Sequence, residues 1–491
     1  MEERAFEEAV EPAIRVRERG GRLLAAGGAV RDFALRSQGR VCGRLPGAGD
    51  LDLVAFGLSL DGLREALGPL GEARTAFRRE GGGGDGPRIA LVLLKRRGVR
   101  LEIGLPKTAR PPSAPGAPVV PLTPESLARD ASLRDFTVNA LYLDPLEGAL
   151  LDPLGGLADL EAGRIALCSP GALSDDPVRM LRAMSLVCRR PLVAGADLLA
   201  ETRRQAWKLG EAPPERLWPE WRTLAGSPRP HLGLHFLAES GLIALFPALD
   251  ALRDLPQYPH YHPEGSVWNH TVLVVQAMSG LPLPDRDRRE RLVLTALLHD
   301  VGKATAARAV RRDGDCSLVL YPDHAALGAP AARGFLRSIE APERVIRPVV
   351  KLTARHMDSA FKTLSRARLR WIARELAPDA DLEDFWAVTV ADWNGRRPWP
   401  EPYPWSLEEF LEPVGGETGP PPDLVSGRDL LVELGVPEGP EVGRLLQLVR
   451  QESDEGRISS REAALAFLAG RPGCGGGASG PLRGASGGAR S

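Results

Sequence analysis

Two aspartates stand two residues apart in the otherwise apolar segment DLDLVAF, residues 50–56. In a strand, side chains two apart project from the same face, so Asp50 and Asp52 point together while Leu51 and Leu53 point to the opposite face. Clustered carboxylates repel each other unless a cation neutralises them, and magnesium is a typical choice. The pair predicts a magnesium site; an edge strand with a solvated acidic face is the alternative.

A phosphate site is predicted just upstream, in AAGGAVRD (25–32). Gly27 and Gly28 follow a predicted strand, and a helix is predicted to begin before Arg31. Glycines at such a junction let backbone N–H groups approach a phosphate, and the helix N-terminus favours negative charge there. Arg31 would add a fixed positive charge. The alternative is a tight strand-to-helix turn without a ligand.

A third carboxylate, Glu102, lies in VRLEIGL (99–105), on a strand that could lie beside the Asp50 strand. Three converging carboxylates can hold two magnesium ions. One ion lowers the pKa of an attacking hydroxyl, and the other neutralises a leaving pyrophosphate. This pattern favours nucleotidyl transfer, with a surface position as the alternative for Glu102.

Histidine is concentrated in one part of the chain, since five of the eight histidines fall between residues 262 and 356. An adjacent His-Asp pair in an apolar helix, with distant histidine and aspartate partners, is typical of HD-type phosphohydrolases, which bind a divalent metal between several helices. Such a metal (Mg, Mn, Ni or Co) would activate water for attack on a phosphoester. The predicted ligands are His270, His299, Asp300, His324, His356 and Asp392. Lys303 is a candidate phosphate contact or a solvated lysine.

The elements that must position these residues are of two kinds. Residues 1 to about 145 alternate helical and strand patterns: a helix over 5–20, strands over 21–28 and 50–56, and a hairpin turning at 95–98. From about residue 146 onward, the pattern becomes almost wholly helical. The predicted fold class is therefore α+β, followed by an all-α region.

Composition limits the function classes. At 491 residues, the chain is long enough for roughly three domains. It has no apolar run of about 20 residues and an acidic N-terminal segment, so we expect a cytoplasmic protein without a membrane span. Its five scattered cysteines favour reduced thiols. With 63 basic and 64 acidic side chains, any RNA binding would depend on local basic patches.

Six segments occur in one order along the chain: GGAVRD, DLDLV, LEIGLP, LRDFTVNAL, LLDPLGGLADL and DDPVRMLRA. Together they resemble the class II nucleotidyltransferases, which comprise the tRNA CCA-adding enzymes and bacterial poly(A) polymerases. The resemblance implies a polymerase-β-like palm with a helical neck, acting on ATP, CTP and the 3' end of tRNA or another RNA. It also implies that Asp50 and Asp52 bind magnesium, and that Gly28 and Arg31 contact the triphosphate.

Further nucleotide-site residues follow from the same resemblance. In LRDFTVNAL, Arg134 and Asp135 match the family motif, Asn139 keeps its amide, and Leu133 replaces an arginine. In DDPVRMLRA, Asp176 and Arg179 correspond to the residues of the neck motif that read the base, and Arg182 matches a further nucleotide-site arginine. A carboxylate can accept from an exocyclic amine, and a guanidinium can donate to ring acceptors.

Four departures from the family pattern stand out. The segment between Asp32 and Asp50 is longer than usual, Asp175 replaces a glutamate, and Ser185 stands where an arginine is expected. The loop after Glu102 reads PPSAPGAPVVP instead of the basic, glycine-containing loop associated with the switch from C to A addition. This change leaves poly(A) tailing, CC addition or A addition as alternatives to complete CCA synthesis.

The second half resembles the branch of this family that carries a C-terminal HD domain. The matching segments are PERLWPEW, ESGLIALFPALDAL, HPEGSVWNHT and LVSGRDLLVELGVPEGPEVGRLL. The resemblance implies hydrolysis of 2',3'-cyclic phosphates or 2'-nucleotides. A palm that has become a mere RNA-binding scaffold, with only the HD domain active, is a further alternative.

The expected domain organisation is a palm over 1–145, a helical neck and RNA-binding body over 146–253, an HD domain over 254–400, a C-terminal helical region over 401–470 and a disordered tail over 471–491. The RNA is expected to contact basic residues of the neck and body through its phosphates. The candidates are Arg203, Arg204, Arg216 and Arg222. The oligomeric state stays open.

Overall fold

The fold was obtained as a computed structural model. It describes residues 2–37, 50–71, 74–79, 88–107, 119–283, 285–306, 309–313, 316–359, 364–396, 401–469 and 471. For Asp50, the backbone alone is described. Most of the long segment before Asp50 lies outside these residues. So do most of the altered loop after Glu102 and most of the predicted disordered tail.

The strands of the described ranges are β1 (Arg22–Ala26), β2 (Asp50–Phe56), β3 (Arg74–Arg79), β4 (Arg88–Arg96), β5 (Val99–Gly104), β6 (Tyr142–Leu143), β7 (Leu150–Leu151), β8 (Arg164–Ile165), β9 (Val193–Ala194), β10 (Ala309–Asp313) and β11 (Cys316–Leu320). The first seven of them form one sheet in the order β3-β4-β5-β2-β1-β6-β7. The predicted α+β class is confirmed.

The helices of the same ranges are α1 (Glu2–Glu18), α2 (Gly28–Ser37), α3 (Leu60–Leu67), α4 (Pro124–Ser132), α5 (Gly156–Glu161), α6 (Ala172–Asp175), α7 (Arg179–Arg189), α8 (Ala196–Gln205), α9 (Trp218–Ala225), α10 (Pro230–Glu239), α11 (Pro247–Asp250), α12 (Val267–Ser279), α13 (Arg286–Leu298), α14 (His324–Ser338), α15 (Glu343–Arg355), α16 (Arg366–Leu376), α17 (Leu382–Asn394), α18 (Leu407–Leu411), α19 (Gly427–Glu433), α20 (Pro440–Asp454) and α21 (Arg461–Ala469). Among them, no helix is long and apolar enough to cross a bilayer.

Strand β2 lies inside the large sheet, antiparallel to β1 and parallel to β5. Its alternation matches the prediction, because Leu51 and Leu53 are buried in the main core while Asp52 is exposed on the other face. The predicted hairpin is also present: β4 and β5 pair antiparallel, and Arg97 and Gly98 turn between them with positive φ angles. Asp52 of β2 therefore lies directly beside β5.

The region after residue 146 is not as helical as expected. Short strands β8 and β9 pair in parallel, and β10 and β11 form an antiparallel hairpin between the segment of His299 and helix α14. Arginine and aspartate residues interrupt the apolar pattern of β10, so the sequence did not predict this hairpin. Among the described residues, the main hydrophobic core extends from Ala9 to Val414, a second cluster lies between Leu24 and Tyr142, and a third covers Val425 to Leu468.

Two candidate active sites

The candidate magnesium site lies where β2 and β5 run side by side. Asp52 is the register partner of Glu102 on the parallel neighbour, so both side chains project from the same face of the sheet. Asp50 is the register partner of Arg100, and the Arg100 guanidinium lies 3.1 Å from the Glu102 carboxylate. The structure thus brings Asp52 and Glu102 together, as the sequence predicts.

The glycine turn fits closely against this acidic pair. Gly27 has a φ of +78°, in the left-handed region that favours glycine. A Cβ at Gly27 would lie 3.3 Å from Asp52 Oδ2 and 3.9 Å from Arg134 Nη1. Gly28 starts α2, and a Cβ there would lie 3.4 Å from Arg31 Nη2. The glycine turn therefore lies close to Asp52, Arg31 and Arg134.

Arg31 lies inside the protein rather than at its surface. It is 6% exposed, and its guanidinium donates to Asp32 and, at 2.6 Å, to Asn139 Oδ1. The Asn139 amide in turn donates to Asp135 Oδ1 at 3.0 Å. The predicted residues of the GGAVRD and RDFTVNA motifs are thus joined directly.

The neck motif continues this network. Arg182 lies 3.6 Å from Asp135 and 4.0 Å from Asp176, and Arg216 donates to Asp176 at 2.8 Å. Burial alone would raise the pKa of Asp176, but the hydrogen bond from Arg216 and the charges of Arg182 and Arg179 lower it. Asp176 is therefore held as a carboxylate, the form that accepts hydrogen bonds.

Two of the predicted nucleotide-site arginines make contacts within the protein, one with backbone carbonyls and the other with a buried aspartate. Arg179 donates to the carbonyl oxygens of Leu133, Arg134 and Ala172, at 2.7, 3.1 and 3.1 Å. Arg134 pairs with Asp130 at 3.1 Å, and its Nε donates to a tyrosine hydroxyl. The guanidinium of Arg179 thus fixes the chain that carries Arg134 to the neck helix.

Glu220 is a member of this site that the sequence reasoning missed. It lies on α9, accepts from Ser185 Oγ at 2.6 Å and lies 3.6 Å from Arg182. Burial raises the pKa of its carboxyl. Ser185, which stands where the family has an arginine, therefore binds an acidic neighbour. The signal in the sequence was the segment PERLWPEW, whose second glutamate is Glu220.

The second candidate site gathers all six predicted HD residues, here called the HD centre: His270, His299, Asp300, His324, His356 and Asp392. They come from α12, the end of α13, α14, the end of α15 and α17. Asp300 is central, because its two oxygens lie 3.2 Å from His299 Nε2, 3.2 Å from His324 Nε2 and 3.6 Å from His356 Nε2. Asp392 Oδ1 lies 3.0 Å from His270 Nε2.

Three of these histidines are oriented in the same way. The Nδ1 atoms of His299, His324 and His356 lie 2.7–2.8 Å from the carbonyl oxygens of the residues three positions earlier in the chain. A carbonyl can only accept, so Nδ1 carries a proton, and in the neutral ring Nε2 keeps its lone pair. His299 Nε2 is buried 3.2 Å from Asp300 Oδ2 and has no hydrogen-bond partner among the described residues. These lone pairs suit a metal ion.

Glu264 contacts the HD centre and was not predicted from the sequence. Its Oε1 lies 2.8 Å from His270 Nδ1 and 2.9 Å from His262 Nδ1, and its side chain is 3% exposed. Burial would raise its pKa, but the two histidines lower the pKa of Glu264 to about 2. A carboxylate there fixes Nδ1 of His270 and leaves Nε2 facing Asp392. The sequence signal was the HPEG segment, in which Glu264 follows His262 by two residues.

The charges of the HD centre favour ionised carboxylates. Burial opposes the ionisation of Asp300, yet Lys303 and His299 lower the pKa of Asp300 well below its usual range. Asp392 behaves likewise, against burial, through Arg396 and His270. Imidazole nitrogens and ionised carboxylates are ligands that suit a divalent transition metal, so these residues fit such an ion.

A cavity of about 510 Å³ adjoins the HD centre. Tyr258, Tyr261 and Tyr321 contribute aromatic surface to it, and Lys303 and Arg396 contribute positive charge. Lys303 is not a solvated lysine: it is 9% exposed and donates to Asp300 at 2.7 Å and to Gln257 at 2.8 Å. The cavity is large enough for a nucleotide-sized phosphoester.

The four arginines predicted to contact RNA all have partners within the chain. Arg216 binds Asp176, as described above, and Arg222 donates to Glu290 at 2.8 Å. Arg204 pairs with Glu201, and Arg203 donates to the carbonyl of Glu239. Their contact with RNA stays a prediction.

Comparison with known proteins gives consistent matches. A family model described as the poly A polymerase head domain matches residues 23–166. A multifunctional CCA protein of Halorhodospira halophila is 32% identical over 343 residues, covering 66% of this chain and 76% of that protein. A CC-adding tRNA nucleotidyltransferase of Thermus thermophilus is 32% identical over 355 residues, covering 70% of this chain and 77% of that protein.

Solved structures resemble the fold along nearly the whole chain. The Bacillus stearothermophilus CCA-adding enzyme in complex with CTP matches with a TM-score of 0.61 and 20% identity, covering 93% of this chain and 95% of that one. The Thermotoga maritima CCA-adding enzyme complexed with tRNA matches with a TM-score of 0.54 and 15% identity, covering 93% of each chain.

Proposed function

The chain belongs to the family of class II CCA-adding enzymes and bacterial poly(A) polymerases, and on that premise we propose that it adds the 3'-terminal CCA to tRNA from CTP and ATP without a nucleic-acid template. The observation that carries this proposal is the placement of Asp52 beside the Gly27 turn, with Glu102 as its register partner on β5. The nucleotide-site network of Arg31, Asn139 and Asp135 begins at that turn.

In this proposal, the acidic residues of β2 and β5 would hold magnesium: Asp50, Asp52 and Glu102. Magnesium held there would neutralise the triphosphate and lower the pKa of the attacking 3'-hydroxyl. Gly27 and Gly28 admit the triphosphate close to the backbone. The base is read by Asp176 as acceptor and by Arg182 as donor, with Arg134, Asp135 and Asn139 shaping the pocket between base and triphosphate. Contact of Arg179 with the base stays a prediction, because its guanidinium donates to three backbone carbonyls.

The HD centre is proposed to be a phosphohydrolase for 2',3'-cyclic phosphates and 2'-nucleotides. Its ligand atoms fall into two groups, each within 4.8 Å: His270, His299 and Asp392, and Asp300, His324 and His356. Asp300 Oδ2 lies 3.2 Å from His299 Nε2 and 3.9 Å from His270 Nε2, so the two groups adjoin each other. A divalent metal held by these residues would activate a water molecule, and Lys303 and Arg396 offer positive charge to the phosphate.

A second candidate function is the addition of CC alone. Two observations favour it: the Thermus thermophilus relative is a CC-adding tRNA nucleotidyltransferase, and the loop after Glu102 departs from the family pattern. The chemistry at Asp52 would be the same, and only the switch from CTP to ATP would be missing.

The test uses tRNA transcripts that end before CCA, after C and after CC, each with CTP or ATP supplied separately. We expect CTP to extend the first two transcripts and ATP to extend the third by one residue. Failure of ATP on the third transcript would establish CC addition. Long A tails on any RNA would establish poly(A) polymerase activity. No addition at all, with hydrolysis of 2',3'-cyclic AMP retained, would leave the RNA-binding scaffold.

A further inference from the structure

A buried ion pair joins the palm to the neck at a position that the proposed chemistry does not use. Asp32, on α2, lies between Arg31 and Arg190, and Arg190 directly follows the neck helix α7. Arg31 donates to Asp32 Oδ1 at 2.8 Å, and Arg190 donates to the same oxygen at 2.7 Å and also to Oδ2. Asp32 is 6% exposed and Arg190 is 1% exposed.

This pair is the far end of the nucleotide-site network. With Asp32 on one side, Arg31 donates on its other side to Asn139 Oδ1, and the Asn139 amide donates to Asp135. Asn139 can serve both neighbours in only one orientation of its amide, because its oxygen accepts and its nitrogen donates. The position of Arg190 therefore determines the geometry of three residues of the nucleotide pocket.

Stability alone does not account for this arrangement. Two guanidinium groups share one carboxylate in the interior, and burial of such groups costs as much as their attraction returns. Burial lowers the pKa of Arg31, and together with Arg190 and Arg31 it lowers the pKa of Arg189 to about 10. Apolar residues of similar volume would stabilise the interface at least as well. A charged pair is better suited to fixing orientation.

We infer that Asp32 and Arg190 are positioning residues for the incoming nucleotide, which fix Arg31, Asn139 and Asp135 in their binding geometry only when the neck is docked on the palm. The inference rests on the proposed nucleotidyl transfer. Neither residue contacts the nucleotide itself. Docking of the neck thereby completes the pocket. The Arg190–Asp32 contact fixes one side of the Arg31 guanidinium, and Asn139 binds the other side.

The test compares Arg190→Met, Arg190→Lys and Asp32→Asn with the unmodified full-length protein. Arg190→Lys keeps the charge but loses the two-pronged donor, and Asp32→Asn keeps the shape but loses the charge. Arg288→Met is the control, because Arg288 is also a buried arginine that donates to carboxylates, those of Asp384, Glu383 and Asp381, but lies outside both sites. KM and kcat are measured for CTP, together with the thermal midpoint and hydrolysis at the HD centre.

We expect KM for CTP to rise by about tenfold or more in Arg190→Met and Asp32→Asn, and less in Arg190→Lys, while kcat changes by less than about threefold. HD hydrolysis should stay unchanged, which shows that the chain is folded. The inference is overturned if KM stays constant while kcat falls in parallel with the thermal midpoint, as expected for Arg288→Met. If Arg190→Met does not fold, Arg190→Lys and Asp32→Asn decide. A wild-type protein that adds no nucleotide would instead overturn the proposed function.

Discussion

Gly302 offers the sharpest test of the HD centre. It lies two residues after Asp300, in a short 3₁₀ turn, Val301–Ala304, that packs against the start of α14. A Cβ at Gly302 would lie 2.0 Å from the His324 carbonyl oxygen and 2.4 Å from the Gly328 nitrogen. Both atoms belong to backbone, which cannot rotate away as a side chain could. Gly302→Ala must therefore push α14 away from Asp300.

The size of the displacement follows from these contacts. Real Cβ atoms essentially never approach closer than 3.0 Å, so α14 must move by about 1 Å to relieve the contact of 2.0 Å. His324, the first residue of α14, moves with the helix and leaves its place 3.2 Å from Asp300. Metal sites tolerate about 0.2 Å. We expect metal affinity to fall by about 10- to 100-fold, and stability by about 1–3 kcal/mol.

Two other glycines of α14 provide graded controls. A Cβ at Gly334 would meet no atom within 4 Å, and one at Gly328 would lie 3.1 Å from the Thr353 Cγ2 methyl. Hydrolysis of 2',3'-cyclic AMP should therefore be normal in Gly334→Ala, intermediate in Gly328→Ala and nearly lost in Gly302→Ala. Metal content is measured on the same samples, and nucleotide addition reports folding. A folded Gly302→Ala protein that binds metal and hydrolyses substrate like wild type would refute the reasoning.

The remaining predictions address separability, stability and pH. Asp52→Asn should abolish nucleotide addition and spare cyclic-phosphate hydrolysis, and Asp300→Asn should do the reverse; a joint loss in a folded protein would contradict two independent sites. Arg179→Met leaves three carbonyl groups without their donor, and should cost about 2–4 kcal/mol, measured by denaturant unfolding; an unchanged midpoint would contradict this role. Because the folded-state pKa of Asp176 is lowered, its contribution to stability is present above the unfolded pKa of about 3.9 and lost as pH falls through the folded pKa. The thermal midpoints of wild type and Asp176→Asn should therefore differ at pH 7 and converge as pH falls from about 4 through the lowered folded-state pKa; a constant difference would rule this out.

The sequence was most informative where side-chain type and local spacing together decide the structure. The alternation in β2 predicted which face carries Asp52, and the scarcity of histidine made the predicted metal ligands stand out. These six residues come together in the structure. Glu264 was missed because one carboxylate beside a histidine is common on protein surfaces, and only the fold shows that it is buried between His262 and His270.

The partners of the arginines could not be predicted from the sequence. The sequence predicts RNA contacts for Arg216 and Arg222, but it does not show that they bind Asp176 and Glu290 on other elements. It predicts a phosphate contact for Arg31, but it does not show that the buried guanidinium joins Asp32 to Asn139. The contacts with RNA and phosphate stay predictions. Such pairings link positions as far apart as 158 residues, in the case of Asp32 and Arg190. No local pattern specifies them.

The histidines that end α13 and α15, and the one that begins α14, all bind a carbonyl three residues earlier in their own segment. Each ring is thus oriented by the backbone of its own segment rather than by a neighbouring helix. The direction of each Nε2 is therefore set locally, and the packing of the helices decides how far apart the three nitrogens lie. Substitutions in the surfaces through which these helices pack can consequently move a helix without changing which ring nitrogen faces the HD centre.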